Sequence, residues 1–101
     1  MLFHGNSNKN QKKQHLYAIY DKEKDNLFKY GISHDPIDAD GLSDRVRDQV
    51  RFINLAVDWL RFYGKILIAN IPGRERAKRI ETQFIDAYRE KHGSNPRGNL
   101  D

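Results

Sequence analysis

The stretch HLYAIYDKEKDNLFKYGIS, residues 15–33, decides the fold. Its first seven residues, His15 to Asp21, carry Leu16, Tyr17, Ile19 and Tyr20 and read as a strand. Its last seven, Leu27 to Ser33, read as a second. Lys22-Glu23-Lys24-Asp25-Asn26 between them is too polar and too short for anything but a turn. Two β-rich runs joined by a short polar segment form a hairpin. Moving toward the C-terminus, a loop holds Pro36, Asp38, Asp40 and Gly41, and Ser43 is a fitting N-cap with Asp44 complementing the helix dipole. Val46, Val50, Ile53, Val57 and Leu60 then recur with helical spacing, with Asn54 a possible early stop. Lys65 to Ile71 is a β-branched run and the third strand. Pro72-Gly73 breaks it, a helix follows from about Arg74 to His92, and Gly93, Asn95, Pro96 and Gly98 make an irregular tail. The order β-β-α-β-α predicts an α+β fold, a small three-stranded antiparallel sheet flanked by helices. Toward the N-terminus, residues 4 to 14 hold nothing suited to a core, so residues 1–14 are expected to be a flexible basic leader and residues 15–101 the domain.

The bulk composition fits one such domain. A chain of 101 residues would not divide into two halves with adequate cores. There is no cysteine, which removes disulfides and thiolate metal sites. No apolar run approaches a membrane span, and no signal-peptide pattern opens the chain. The net charge of +4 mildly favours a polyanionic partner. His4, His15, His34 and His92 have no zinc-site spacing, and Gly31, Gly73 and Gly98 form no phosphate-cradling loop.

One residue of the second helix is out of place. On a helical wheel Ala77, Ile80, Phe84, Ile85, Ala87 and Tyr88 span an arc of about 160°. Glu81 projects into the middle of it, between Tyr88 and Ile85. An unpaired carboxylate there is costly, so Glu81 calls for a cation, a metal ion or a water-filled gap. A structural ion pair with an arginine answers that requirement as well as a metal does. On the first helix Arg45 and Gln49 form an i, i+4 pair on the shoulder of the apolar stripe, while Arg47 points away. Tyr17, Tyr20 and Tyr30 are good strand formers, and taken singly each reads as packing.

Taken in order, these residues resemble the GIY-YIG nuclease superfamily. Ala18-Ile19-Tyr20 resembles its first motif, and Lys29-Tyr30-Gly31-Ile32-Ser33 its second, with Lys29 where a tyrosine usually stands. The helical arginine corresponds to Arg45, or to Arg47. The metal-binding glutamate corresponds to Glu81 and the late asparagine to Asn99, or to Asn95. The leader and the Pro72-Gly73-Arg74 segment also look similar to the C-terminal toxin modules of bacterial polymorphic toxins.

The resemblance implies a metal-dependent endonuclease hydrolysing phosphodiester bonds, with DNA ahead of RNA as substrate. It implies a toxin effector delivered as part of a larger protein, acting in bacterial cytoplasm, with a cognate immunity protein over its active face. A silent nucleic-acid-binding module on the same scaffold is the alternative. In the implied chemistry Tyr20 is the base, Lys29 or Tyr30 orients water, and Arg45 clamps the phosphate. Glu81 holds one Mg²⁺ or Mn²⁺, which needs few protein carboxylates. Asn99 fixes the tail and orients Glu81 or the substrate. Lys12, Lys13, Arg51, Arg61 and Lys65 are the expected backbone contacts.

Overall fold

A computed structural model of the chain describes residues 12–99. It has five elements: β1 (Lys13–Asp21), β2 (Asn26–Ser33), α1 (Asp44–Val57), β3 (Phe62–Pro72) and α2 (Arg74–His92). The strands form one antiparallel sheet in the order β2-β1-β3. This is the α+β arrangement expected from the sequence. The expected leader lies outside the described residues as far as residue 11. Lys13 and Gln14, however, belong to β1, and Gln14 is fully buried, so the sheet begins before His15.

The central strand is apolar on both sides because a helix covers each face of the sheet. Tyr17 and Ile19 point to the α1 side, where they pack with Val46 and Phe62. Leu16, one residue out of phase, packs on the other side with Ile71 and Ala77, against Ile80 and Phe84 of α2. Glycine at position 64 lets α1 approach β3, since a Cβ there would run into Val46.

Between Ile19 and Tyr20 the β1–β2 register slips by one residue. Ile19 pairs with Lys29 and Tyr20 with Leu27, leaving Phe28 as the extra residue of a bulge. A bulge re-aims neighbouring side chains. Here Phe28 enters the α1-side core and stacks at a tilt on Phe62, with ring centroids 4.9 Å apart.

Helix α1 departs from expectation at both ends. Ser43 is its N-cap residue, but its hydroxyl does not cap. It lies 3.0 Å from Nε2 of the buried His15 instead. The Asp35 carboxylate takes over the capping, accepting the Arg45 backbone N–H at 3.1 Å. At the other end the helix stops at Val57, and Asp58 closes it in the left-handed conformation (φ 54°). Leu60 therefore leaves the apolar stripe and stands 75% exposed. Asn54 does not stop the helix. Buried within it, its side chain accepts the backbone N–H groups of Arg61 and Phe62 and donates to the Phe62 carbonyl. That anchors β3, which starts at Phe62 rather than Lys65.

Candidate active site

A cleft of about 470 Å³ opens at the β2 edge of the sheet. Tyr17 reaches it from β1, Lys29 and Tyr30 from β2, Arg45 from the first turn of α1, and Arg74, Lys78 and Glu81 from α2. The tail closes it through Asn99. Most of the residues expected to act together are thus brought together.

Tyr20 is the exception. Three residues from Tyr17 on a strand, it faces the opposite side of the sheet. There it stacks on Tyr63 of β3, with centroids 5.3 Å apart and planes 25° from parallel, and it does not line the cleft. The tyrosine that reaches the cleft is Tyr17. Its cross-strand partner is Gly31, and its ring lies over that glycine, where any Cβ would overlap its tip. His15-Leu16-Tyr17 is accordingly the triplet that delivers a hydroxyl, and the antiparallel pairing of Tyr17 with Gly31 was the available signal.

The Tyr17 hydroxyl donates to Gln49 Oε1 at 3.1 Å. Burial raises its pKa, Arg45 opposes that rise by hydrogen bonding and by charge, and Glu81 adds to it. Lys29 is shifted the other way: burial lowers its pKa, Arg45 lowers it further, and Glu81 partly offsets both. Tyr30 is held by packing, its ring edge-on to Phe84 at 5.3 Å, and burial raises its pKa too.

Glu81 is half-buried, and desolvation raises its pKa. Lys78, Lys29 and Arg74 act against that rise from a distance. Among the described residues it makes no hydrogen bond and no ion pair within 4 Å. The ion pair with Arg45 that would have explained Glu81 structurally is therefore not formed. Arg74 and Lys78 were not anticipated, although their spacing to Glu81 puts all three on one side of α2.

Asn99 and Arg45 separate from their alternatives. The Asn99 side chain accepts the Tyr30 backbone N–H at 2.7 Å and donates to the Tyr30 carbonyl at 2.9 Å. It acts as one further rung on the free edge of β2, and Gly98 N–H adds another to the Phe28 carbonyl at 2.7 Å. Asn95 instead accepts from Arg89 at 2.7 Å on the surface of α2. Arg47 is bound by Asp38, Asp40 and Asp44, which raise its pKa, and it serves to hold the loop before α1.

The expected backbone contacts fare differently. None of Lys12, Lys13, Arg51, Arg61 and Lys65 lines the cleft. Lys13 and Lys65 are exposed on β1 and β3, Lys12 is exposed just before β1, and Arg51 pairs with Asp48 at 2.6 Å. Arg61 is a structural residue. Its guanidinium forks onto the buried Asp21 at 2.9 and 2.8 Å. Asp21 also accepts from Arg97 at 2.9 Å and from the backbone N–H groups of Glu23 and Lys24. The Arg61 hydrogen bonds hold its carboxyl far below the usual carboxylate range, with burial opposing and Arg97 assisting.

Among the described residues no three of His, Asp and Glu converge as a ready-made metal cage, and no helix is long and apolar enough to cross a membrane. The donor set fits a divalent ion only in its most economical form: Glu81 as the single carboxylate, with the other positions left to water and substrate oxygens. No curated protein and no solved structure matches the chain. A family model described as URI fold toxin 2 matches residues 7–93. With that match running from before β1 to the end of α2, the chain belongs to the URI fold toxin 2 family.

Proposed function

We propose that this toxin domain is a nuclease that hydrolyses phosphodiester bonds in the cleft at the β2 edge. The observation that carries the reading is the company Glu81 keeps. A half-buried carboxylate without an ion pair faces Lys29, Arg74 and Lys78, beside a tyrosine hydroxyl and Arg45. Arg45, Arg74 and Lys78 around one carboxylate are an excess of positive charge for folding, but they suit a phosphodiester, whose charge grows in the transition state.

Each residue has a role that its environment supports. Arg45, with Arg74 and Lys78, holds the anionic oxygens, Arg45 through its planar fork. Burial keeps the Tyr17 phenol protonated at neutral pH, so Tyr17 orients the attacking water and is itself aimed by Gln49. Lys29, its ammonium destabilised by burial and by Arg45, gives up its proton more readily than a surface lysine, and in its neutral amine form it is the acceptor. Water oxygen bonds to phosphorus as its proton passes to the neutral Lys29 amine, the bond to the leaving oxygen breaks, and that oxygen takes up a proton from solvent. Glu81 would hold Mg²⁺ or Mn²⁺, which would supply positive charge to stabilise the charge that develops as the bond breaks. Asn99 keeps Lys29 and Tyr30 in position by pairing with the β2 edge.

DNA ahead of RNA as the substrate, delivery as part of a larger protein, action in the bacterial cytoplasm and a cognate immunity protein covering the cleft all belong to this reading. The test is cleavage of plasmid DNA and total RNA with Mg²⁺, Mn²⁺ or EDTA, comparing wild type with Glu81→Gln. Cleavage that needs the metal and is lost in the variant supports the proposal. Binding without cleavage under every metal condition would establish the silent module instead.

A further inference from the structure

A second concavity, of about 540 Å³, lies next to the cleft between α1 and β2. The two share Lys29, and Gln49, which aims Tyr17, lines the second. In character it differs from the cleft. Its apolar lining comes from Phe28, Ile53 and Phe52, with Gly98 lying against the Phe28 ring, where a Cβ would clash. Phe52 is 74% exposed and makes no ring contact among the described residues. Its polar rim is Asp48 and Gln49 on one side and Arg97 on the other, the Arg97 guanidinium sitting 5.3 Å from the Phe28 ring centre.

Phe52 is one of several exposed apolar side chains, with Leu55, Trp59 and Leu60 further along, but it is the exposed aromatic that lines this concavity of ligand-binding size beside the cleft. The neighbouring cations identify the occupant. A phosphate held by Arg45 in the cleft carries a nucleoside on each side, and the groove adjoins that cleft at Lys29, which lines both. An aromatic face such as that of Phe52 accepts any base by stacking, and Gln49 and Asp48 can meet polar atoms on its edge. A paired base in a duplex offers no free face. We propose that this groove is a nucleobase subsite for the nucleotide flanking the scissile phosphate, and that the substrate is single-stranded or locally unpaired nucleic acid. This rests on the nuclease reading and narrows its substrate class.

The experiment uses the full chain, a single-stranded oligonucleotide carrying 2-aminopurine, and the same sequence as a blunt duplex. Binding is measured on Glu81→Gln by 2-aminopurine fluorescence, and cleavage on the enzyme with an intact Glu81, each with and without Phe52→Ala. The subsite predicts that Phe52→Ala weakens single-strand binding and lowers kcat/KM by roughly 5- to 150-fold, the range of one base–aromatic stack. Thermal stability should be unchanged, Phe52→Trp should restore binding, and the duplex should be cut poorly. Single-strand binding and cleavage indifferent to Phe52, or a duplex cut as fast as the single strand, would overturn the subsite while leaving the nuclease intact. A wild type that neither binds nor cuts any of these substrates would overturn both proposals.

Discussion

Two carboxylates in this small domain are surrounded by cations and have opposite fates. Asp21 is fully buried and accepts five hydrogen bonds, from Arg61 twice, Arg97, and the N–H groups of Glu23 and Lys24. Its pKa is driven down. Glu81 has Lys29, Lys78 and Arg74 near it and bonds to none, and its pKa is raised. Asp21 ties the hairpin turn, the start of β3 and the tail together, and its charge is satisfied by the fold. On the proposed reading, the charge at Glu81 is left for a metal ion or the substrate. Proximity of cations alone does not tell a structural carboxylate from a working one; the closure of its hydrogen bonds does.

The contrast can be broken most sharply at Glu81. Glu81→Gln should lower cleavage by about 10³-fold or more, the scale of losing a principal electrostatic element of the site. The same change should leave Tm unchanged or slightly higher, because it removes a desolvated charge that pairs with nothing. A variant that loses several degrees of Tm would mean that Glu81 belongs to the fold after all.

Asp21→Asn should do the reverse. It leaves Arg61, which is mostly buried, without its carboxylate and should cost about 3 kcal/mol. For a domain of this size that is a Tm drop of roughly 12–20 °C. The protein that remains folded should still cut at near the wild-type rate, which activity per folded molecule at low temperature would check.

The two tyrosines provide a third comparison within one strand. Tyr17→Phe removes the hydroxyl in the cleft and should reduce kcat by about 10²-fold. Tyr20→Phe removes a hydroxyl from a stacked pair on the other face and should change it less than about 2-fold. Comparable losses in both would return the first-motif role to Tyr20.

The same division holds for the cations. Lys78→Ala should flatten the slope of log K against log salt by roughly one unit, as a lost phosphate contact does. Arg61→Lys should leave the slope alone and register only in stability.

The fold was legible in the sequence because it rests on local patterns: two strands around a polar turn, a 3.6-residue stripe, a β-branched run and a Pro-Gly break. Glu81 was legible for a related reason, since a charge in the middle of an apolar arc violates periodicity wherever it sits. The rest depends on which residues the chain brings together. Choosing between Tyr17 and Tyr20 requires the strand pairing that sets Tyr17 over Gly31. Arg61 resembles any surface arginine until Asp21, forty residues away, is seen beneath it. Asn99 declares itself only when the tail folds back onto the β2 edge.

The smallest effect is one of pH, and it separates the two ends of the molecule. His15 is buried 3.0 Å from Ser43, at the turn that presents Arg45. Burial lowers its pKa, Asp35 partly offsets this, and His34 adds to the lowering. The native state therefore keeps His15 neutral while the unfolded chain takes up a proton near pH 6.5. More protons on the unfolded state mean that stability rises with pH. The contribution is complete above about pH 6.5 and is lost as pH falls toward the lowered folded value. The loss cannot exceed about 1.4 kcal/mol per pH unit for one proton. Asp21 behaves differently: its folded pKa lies below the ordinary 3.8, so its contribution persists until pH falls beneath that value. Tm measured from pH 7.5 to 5.5 should decline in the wild type and be flatter in His15→Gln, which can still hydrogen-bond Ser43. An equal decline in both would place the proton elsewhere and leave the cleft end no more acid-sensitive than the Asp21 end.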